Sequence, residues 1–346
     1  LGALLGFGLS PLAIKLAKSM KLIDDPRSSP RKIHNRPTPR AGGIILFLSL
    51  LIALLTKAVH FDEEINKILL SASIVFITGL IDDHKDLNVI QKFAGQFLAT
   101  TVLIVLGIHV RVFGSLRFIL NLSQPFASFL DLLLTYLWVI GLTNAFNFID
   151  SMDGLLIHLS QIAIFFIGIS ALAFQQISIA MLMVFLLGLL ISMAVFNSHP
   201  AIYFMGDSGA LFLGFILAAV SILLTPIDLP QTSSWFFPIA LFSVPLFDMF
   251  LVVTSRLRHK TKFYKAGTDH TYHRLCLLGL SSSRAIEVMK VEALFWGFVD
   301  MVAIYQSVIL ANLIFGIFLI NFFGSYFYLD LAIRKETTDH TIFYDS

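Results

Sequence analysis

This sequence predicts an all-α polytopic membrane protein, and three observations carry that reading. Only 13% of its 346 residues are charged, against about 25% in an ordinary soluble domain, and the mean hydropathy is +0.85. The apolar residues gather into about eleven runs of helix-forming length rather than into alternating strands. Lys and Arg fall almost wholly on one side of those runs, as they do when cytoplasmic loops retain positive charge.

In chain order the runs cover roughly 1–19, 42–56, 67–81, 93–110, 127–145, 154–174, 177–196, 209–225, 235–255, 284–305 and 307–330. Between the fourth and fifth, Val110–Ile119 alternates apolar and polar residues around Gly114-Ser115, which predicts a small outer hairpin at the membrane surface. The whole chain, 1–346, reads as one integral membrane domain. No cleavable signal peptide is expected, because Leu1–Leu16 leads into further spans without a small-residue cleavage site. A first residue other than Met makes a longer first helix the expectation. The single cysteine, Cys276, excludes an intramolecular disulfide framework and a CxxC metal site.

Twenty of the 24 Lys and Arg lie after odd-numbered runs or on the helix ends beside them; the other four are Lys57, Lys67, Arg111 and Arg117. The positive-inside rule then puts the N-terminus outside and the C-terminus in the cytoplasm.

Every candidate catalytic group falls on that inner face, which the rule does not require. GLIDDHKDL follows the third run with Asp82, Asp83 and Asp86, and LTNAFNFIDSMDGL follows the fifth with Asn144, Asn147, Asp150 and Asp153. NSHPAIYFMGDSG follows the seventh with Asn197, Phe204 and Asp207, and GTDHTYHRL follows the ninth with His270 and His273. Acids at the ends of spanning helices are costly to desolvate unless paired or bound to a cation. Hard oxygen ligands without Cys favour Mg²⁺ or Mn²⁺ shared with substrate phosphates. Small residues around Asp207 permit close approach of a ligand, and the run after it would begin a helix whose N-terminus favours an anion. A polar turn between two spans is the plainer reading of that stretch. Pairing with Lys and Arg at the headgroups is the plainer reading of Asp62, Asp86 and Asp131.

The first inner loop, Ile23–Gly43, is too rich in proline for a long helix. Its Arg31, Lys32, His34, Arg36 and Arg40 offer a cationic edge to a multiply phosphorylated substrate. A positive-inside anchor that meets anionic lipid is the alternative.

Taken together, DPRSSPRKIHNRPTPRAGG, GLIDD followed by Lys92 and Gln96, NAFNFIDSMDGL, NSHPAIYFMGDSG, the Pro245/Asp248 pair and DHTYHRL closely resemble the polyprenyl-phosphate N-acetylhexosamine-1-phosphate transferases. These membrane enzymes start O-antigen, enterobacterial common antigen and teichoic acid synthesis, and are relatives of phospho-N-acetylmuramoyl-pentapeptide transferase. The resemblance covers nearly the whole chain in order, and RKIHNRPTPR is similar to the GlcNAc-1-phosphate branch.

The resemblance implies that Asp207 is a Mg²⁺ ligand and that Asp82 and Asp83 are paired acids near the metal and the lipid phosphate, with Asp82 a second ligand. It implies that Asn144, Asn147, Asp150 and Asp153 help bind a UDP-N-acetylhexosamine, with Asn197 and Phe204 near the nucleotide and Lys32, His34, Arg40 and Lys92 meeting phosphate charge. Phe204 offers a face to uracil and Asp153 an acceptor for its imide N–H. His270 and His273 match the outer histidines of an HxHH-like block suited to a pyrophosphate contact; Tyr272 stands where many members have a histidine. The implied reaction moves a sugar 1-phosphate, most simply GlcNAc-1-phosphate, onto undecaprenyl or another polyprenyl phosphate and releases UMP. It would occur at the cytoplasmic face of the bacterial plasma membrane. A homodimer is compatible with this reading, and no nucleic-acid partner is expected.

Two rivals belong to other classes. Asp82, Asp83 and Asp86 spell the DDxxD of intramembrane prenyltransferases, although Asn147–Asp153 makes a poor second motif. An ion-coupled transporter would use acids such as Asp248 and Asp300 as proton relays, but no repeated halves with interrupted helices are visible.

The charge asymmetry makes a topology prediction. A reporter active only in the cytoplasm should work when fused after Lys32, Lys262 or Lys335 and fail after Asp62 or Asn121; signal from the outer pair would overturn the orientation.

Overall fold

All eleven apolar runs form helices in the computed structural model, which describes residues 1–28, 36–224, 236–260, 262, 267 and 269–337. In chain order these are α1 (Gly2–Ser19), α2 (Gly42–Leu55), α3 (Glu63–Lys85), α4 (Val89–Val105), the short α5 (Val112–Leu116), α6 (Gln124–Ile149), α7 (Leu155–Ala173), α8 (Ile177–Asn197) and α9 (Gly206–Leu223). There follow the short α10 (Phe237–Leu241), α11 (Ser243–Arg258), the short α12 (Thr271–Leu277), α13 (Ser282–Ala303) and α14 (Val308–Thr337). The ninth run is broken at Phe242, which closes α10 and opens α11. Among the described helices, α3, α6, α7, α8, α9 and α14 as far as Leu331 are long and apolar enough to cross a membrane, whereas α2 and α4 are apolar but shorter. The protein is therefore a helical, polytopic membrane protein.

Polar residues set several helix ends. Asp62 accepts from the Ile65 N–H at 2.9 Å, and acids in the first turn of α3 with His84 and Lys85 in the last complement its dipole. As a result α3 outruns its apolar pattern at both ends, and Asp82 and Asp83 sit on its last turn rather than in a loop. Asn88 and Gln91 form a reciprocal capping box that starts α4.

The predicted hairpin at 110–119 is corrected: the segment carries the helical turn α5 instead of two strands. The cause is Asp131, whose two carboxylate oxygens accept from the consecutive N–H groups of Phe113 (2.7 Å) and Gly114 (2.9 Å). Successive N–H groups point the same way in a helical turn and opposite ways in a strand. Asp62 and Asp131 thus hold backbone amides, not the Lys and Arg partners expected for them.

The only strands among the described residues are β1 (Ile23–Asp24) and β2 (Thr38–Pro39), an antiparallel pair at the two ends of the first inner loop. The chain then crosses to α9: the Phe204 N–H donates to the Pro39 carbonyl at 2.9 Å, and Ala41 and Gly42 donate to the Phe204 carbonyl at 3.1 Å.

Helix α9 is the axis of the bundle. All its residues except Asp207 and Leu223 are buried, and α3, α6 and α2 pack on it. A helix that is apolar all round requires such a jacket. The backbones of α3 and α9 touch at Gly79, where an added Cβ would lie 2.6 Å from the Ser208 Cα and 2.7 Å from the Asp207 carbonyl oxygen. On α1 the small residues Gly2, Gly6, Ser10, Ala13 and Ala17 form the buried stripe that faces α8.

Gly79→Val should lower stability by at least about 2 kcal/mol, the upper part of the range for overpacking, because backbone cannot yield as a side chain can. Thermal unfolding in detergent checks this; an unchanged midpoint would refute the close approach of α3 and α9.

Candidate active site

Consecutive residues on a helix point about 100° apart, so Asp82 and Asp83 take different roles on the last turn of α3. Asp83 turns inward with no exposed side-chain surface. Its Oδ1 accepts from the Asp207 N–H at 2.9 Å, and its Oδ2 accepts from the Ser208 N–H at 3.0 Å and the Ser208 hydroxyl at 2.6 Å. It thereby caps α9 from another helix, and Arg40 Nη1 adds an ion pair at 3.4 Å. The α9 terminus, read from the sequence as a place for a phosphate, is already occupied by this internal anion. Gly206 makes the approach possible: its φ is +71°, and a Cβ there would meet Asp83 Oδ2 at 2.7 Å.

Asp82, also buried, points instead towards Lys92. Its Oδ1 accepts from the Leu87 N–H at 2.7 Å, and its Oδ2 lies 2.5 Å from Lys92 Nζ. The same ammonium is 2.6 Å from Asp207 Oδ2, so two carboxylates converge on one cation. Among the described residues no group of three or more His, Cys, Asp or Glu is placed to hold a metal. The donor set nevertheless suits a hard divalent cation, because Mg²⁺ ordinarily takes one or two carboxylates and completes its shell with phosphate and water. Asp86, the third acid of the DDxxD spacing, is exposed at the left-handed C-cap of α3 (φ 47°), whereas Asp82 and Asp83 are buried.

Asn147 and Asp150 complete the cluster from the end of α6. The Asn147 amide turns towards Asp207. Burial, with Asp207 and Asp83 nearby, pushes the Asp150 carboxyl well above its ordinary range. Burial opposes the charge of Arg40, yet Asp83 and Asp24 hold it above its usual value; Arg40 Nη2 lies 2.6 Å from Asp24. Its guanidinium is turned into the protein, braced by two acids.

Other expected binding residues act first on the protein itself. Asn197 donates to the Tyr203 carbonyl at 2.8 Å and accepts from the Gly154 N–H at 3.2 Å, tying the 198–203 loop to the start of α7. Asn144 and Gln96 exchange amide hydrogen bonds of 2.6 and 3.3 Å between α6 and α4. Asp153 meets His199 at 3.0 Å and the Ala201 N–H at 3.4 Å. Phe204 is half-buried, with its backbone in the ladder to the first loop. Lys32 and His34 lie outside the described residues.

The histidine block joins this site through α6. His270 packs edge-on against Phe148, the neighbour of Asn147, with ring centroids 6.0 Å apart. Its Nδ1 contacts Asp248 Oδ2 at 2.8 Å while the Thr271 N–H donates to Asp248 Oδ1 at 2.6 Å, so one buried acid both orients the ring and starts α12. Tyr272 brings its hydroxyl to His273 Nε2 at 2.7 Å. Burial and the adjacent His270 lower His273 to about 4, so its imidazole is neutral at neutral pH. Arg256 grips Asp269 with two bonds of 2.8 and 2.6 Å beneath the block.

The sequence reading missed Ser208, Asp24, Arg256 and the orienting role of Asp248. An acid in mid-run needs a partner, which was the available signal for Asp248.

The sequence profile of glycosyl transferase family 4 matches residues 65–225. The chain is 30% identical over 285 residues to a protein of Bacillus subtilis (strain 168) named as a probable undecaprenyl-phosphate N-acetylglucosaminyl 1-phosphate transferase, covering 81% of this chain and 77% of the relative. It is 29% identical to the decaprenyl-phosphate N-acetylglucosaminephosphotransferase of Mycobacterium leprae (strain TN), over 78% of this chain and 74% of that one. It is also 28% identical to the phospho-N-acetylmuramoyl-pentapeptide-transferase of Staphylococcus aureus (strain JH9), over 87% and 96%.

The two neighbouring acids should respond differently to amidation. Asp83→Asn turns an amide towards amide donors and should lower stability by about 1–2 kcal/mol, the scale of a lost cap, together with turnover. Asp82→Asn should remove turnover while leaving the unfolding midpoint within about 2 °C of wild type, as expected away from the α9 cap. Equal melting of the two variants would refute the division of roles.

Proposed function

The chain belongs to glycosyl transferase family 4, among the polyprenyl-phosphate N-acetylhexosamine-1-phosphate transferases, and from that premise we propose that it transfers GlcNAc-1-phosphate from UDP-GlcNAc to a polyprenyl phosphate, releasing UMP. The observation that carries this reading is the convergence of Asp82 and Asp207 on one cation position beside Asn147 and Asp150. The 20-to-4 distribution of Lys and Arg supports eleven spans, with the N-terminus outside and this site on the cytoplasmic face, where a nucleotide-sugar is available.

Asp207 and Asp82 would hold the divalent cation, which when bound neutralises the diphosphate of the donor and the charge left on UMP. Asp83 keeps Asp207 in place by fixing the start of α9 and has no coordination left for a ligand. An oxygen of the lipid phosphate attacks the phosphorus that bears the sugar. The bond from that phosphorus to the bridging oxygen breaks, and UMP departs with the bridging oxygen. A phosphate monoester is largely dianionic near neutral pH and needs little help to act as the nucleophile. Asn147 and Asp150 line the donor side, Lys92 answers phosphate charge, and His270, held through Nδ1 by Asp248, presents Nε2 to the diphosphate.

Purified protein given UDP-GlcNAc, undecaprenyl phosphate and Mg²⁺ should release UMP and form a lipid-linked diphospho-GlcNAc. UDP as the sole nucleotide product would mean attack at the anomeric carbon and would refute phosphosugar transfer. Asp207→Asn should reduce turnover by at least about 10²-fold, the scale of one key electrostatic group; near-normal turnover with unchanged Mg²⁺ dependence would remove Asp207 from the metal site.

A further inference from the structure

At the end of α6 away from Asn147, a cavity of about 720 Å³ opens between α5 and α6, lined by His109, Arg111, Ser115, Arg117, Ser128 and Asp131 among others. Two arginines against one aspartate leave its lining net cationic. Both oxygens of Asp131 are taken up by the Phe113 and Gly114 N–H groups, and no salt bridge to Arg111 or Arg117 occurs among the described residues. Arg117 lies over the Phe118 ring at 4.3 Å and also bonds Gln124. His109 Nδ1 is buried without a hydrogen-bond partner among the described residues. A pocket with two guanidinium groups and an unsatisfied imidazole nitrogen suits a phosphate-bearing ligand.

The surface beside this pocket says what kind. Phe126, Phe129, Leu133 and Leu137 recur at helical spacing along α6, each between 45 and 63% exposed, and form an apolar stripe running away from the pocket. Phe118 and Ile119 at its mouth are exposed by 80% or more. Free phosphate or a soluble nucleotide has no use for such a stripe. We propose that this pocket and stripe bind an anionic phospholipid, with the headgroup phosphate between Arg111 and Arg117 and an acyl chain along Phe129, Leu133 and Leu137. Asp131 and Asn147 are 16 residues apart on α6, about 24 Å, so this lipid is distinct from the polyprenyl phosphate acceptor.

Native mass spectrometry of the full chain in detergent, with phosphatidylglycerol or phosphatidylcholine added, tests this without reading turnover. Wild type should retain one phosphatidylglycerol about tenfold more tightly than phosphatidylcholine, the scale expected for arginines facing an anionic headgroup. R111Q/R117Q should lose that preference while its unfolding midpoint stays near wild type. Should that variant fail to fold, R111K/R117K still decides the matter: it keeps both charges and should hold phosphatidylglycerol more tightly than phosphatidylcholine, and loss of that preference would overturn the proposal. Leu133→Ser/Leu137→Ser should weaken both lipids. Equal retention of the two lipids by wild type, a preference surviving in R111Q/R117Q, or displacement of the lipid by millimolar inorganic phosphate would each overturn the proposal.

Discussion

Everything at the reactive end of this molecule depends on one buried carboxylate. A helix begins with N–H groups that have no partner inside the helix, and an isolated carboxylate is among the most expensive groups to bury. Asp83 and the start of α9 solve each other's problem: three hydrogen bonds and the Arg40 guanidinium satisfy the acid, and the acid satisfies the helix. Because Asp83 belongs to α3, that arrangement also fixes the register of α3 against α9. Asp82 and Asp207 consequently reach the same point in space without bonding to one another's backbone. The glycines at 79 and 206 are the geometric condition for this lock: a Cβ at 79 would meet the α9 backbone, and one at 206 the Asp83 carboxylate.

A second tie works on the first inner loop. Its ends pair as β1 and β2, and the next residues cross to Phe204 in a short parallel bridge. Arg40 then spans Asp24 at the beginning of the loop and Asp83 at the end of α3. Both ends of the loop are therefore anchored to the same acid that fixes the start of α9.

Helix existence was legible because apolar runs of this length have few alternatives, and the set of polar motifs on one face was legible from charge alone. Helix ends were not: Asp62, Asn88 and the Asp82–Lys85 turn extend helices through polar sequence, where hydropathy goes silent. Val110–Ile119 shows the same limit in reverse, since its alternation favours strand and only a carboxylate eighteen residues beyond Phe113 makes it helical. The division of labour between Asp82 and Asp83 was invisible for a deeper reason. Adjacent letters are equivalent until a partner chooses between them, and the partner here is 124 residues from Asp83. Asn144 and Asn197 illustrate the converse, being motif residues whose amides serve the scaffold before any ligand.

Lys92 sits between Asp82 and Asp207 as a tethered counter-ion. Two acids facing each other in a membrane-embedded bundle would repel, so the lysine lets the reactive geometry persist between turnovers. In the proposed reaction this has a consequence for the order of assembly. Asp82 and Asp207 would hold a divalent cation only where Lys92 gives up its place between them, and the diphosphate of the donor would supply anionic oxygens to receive that ammonium. On that reading Lys92 would hold the two acids together before the donor arrives and turn to its diphosphate once a cation is bound.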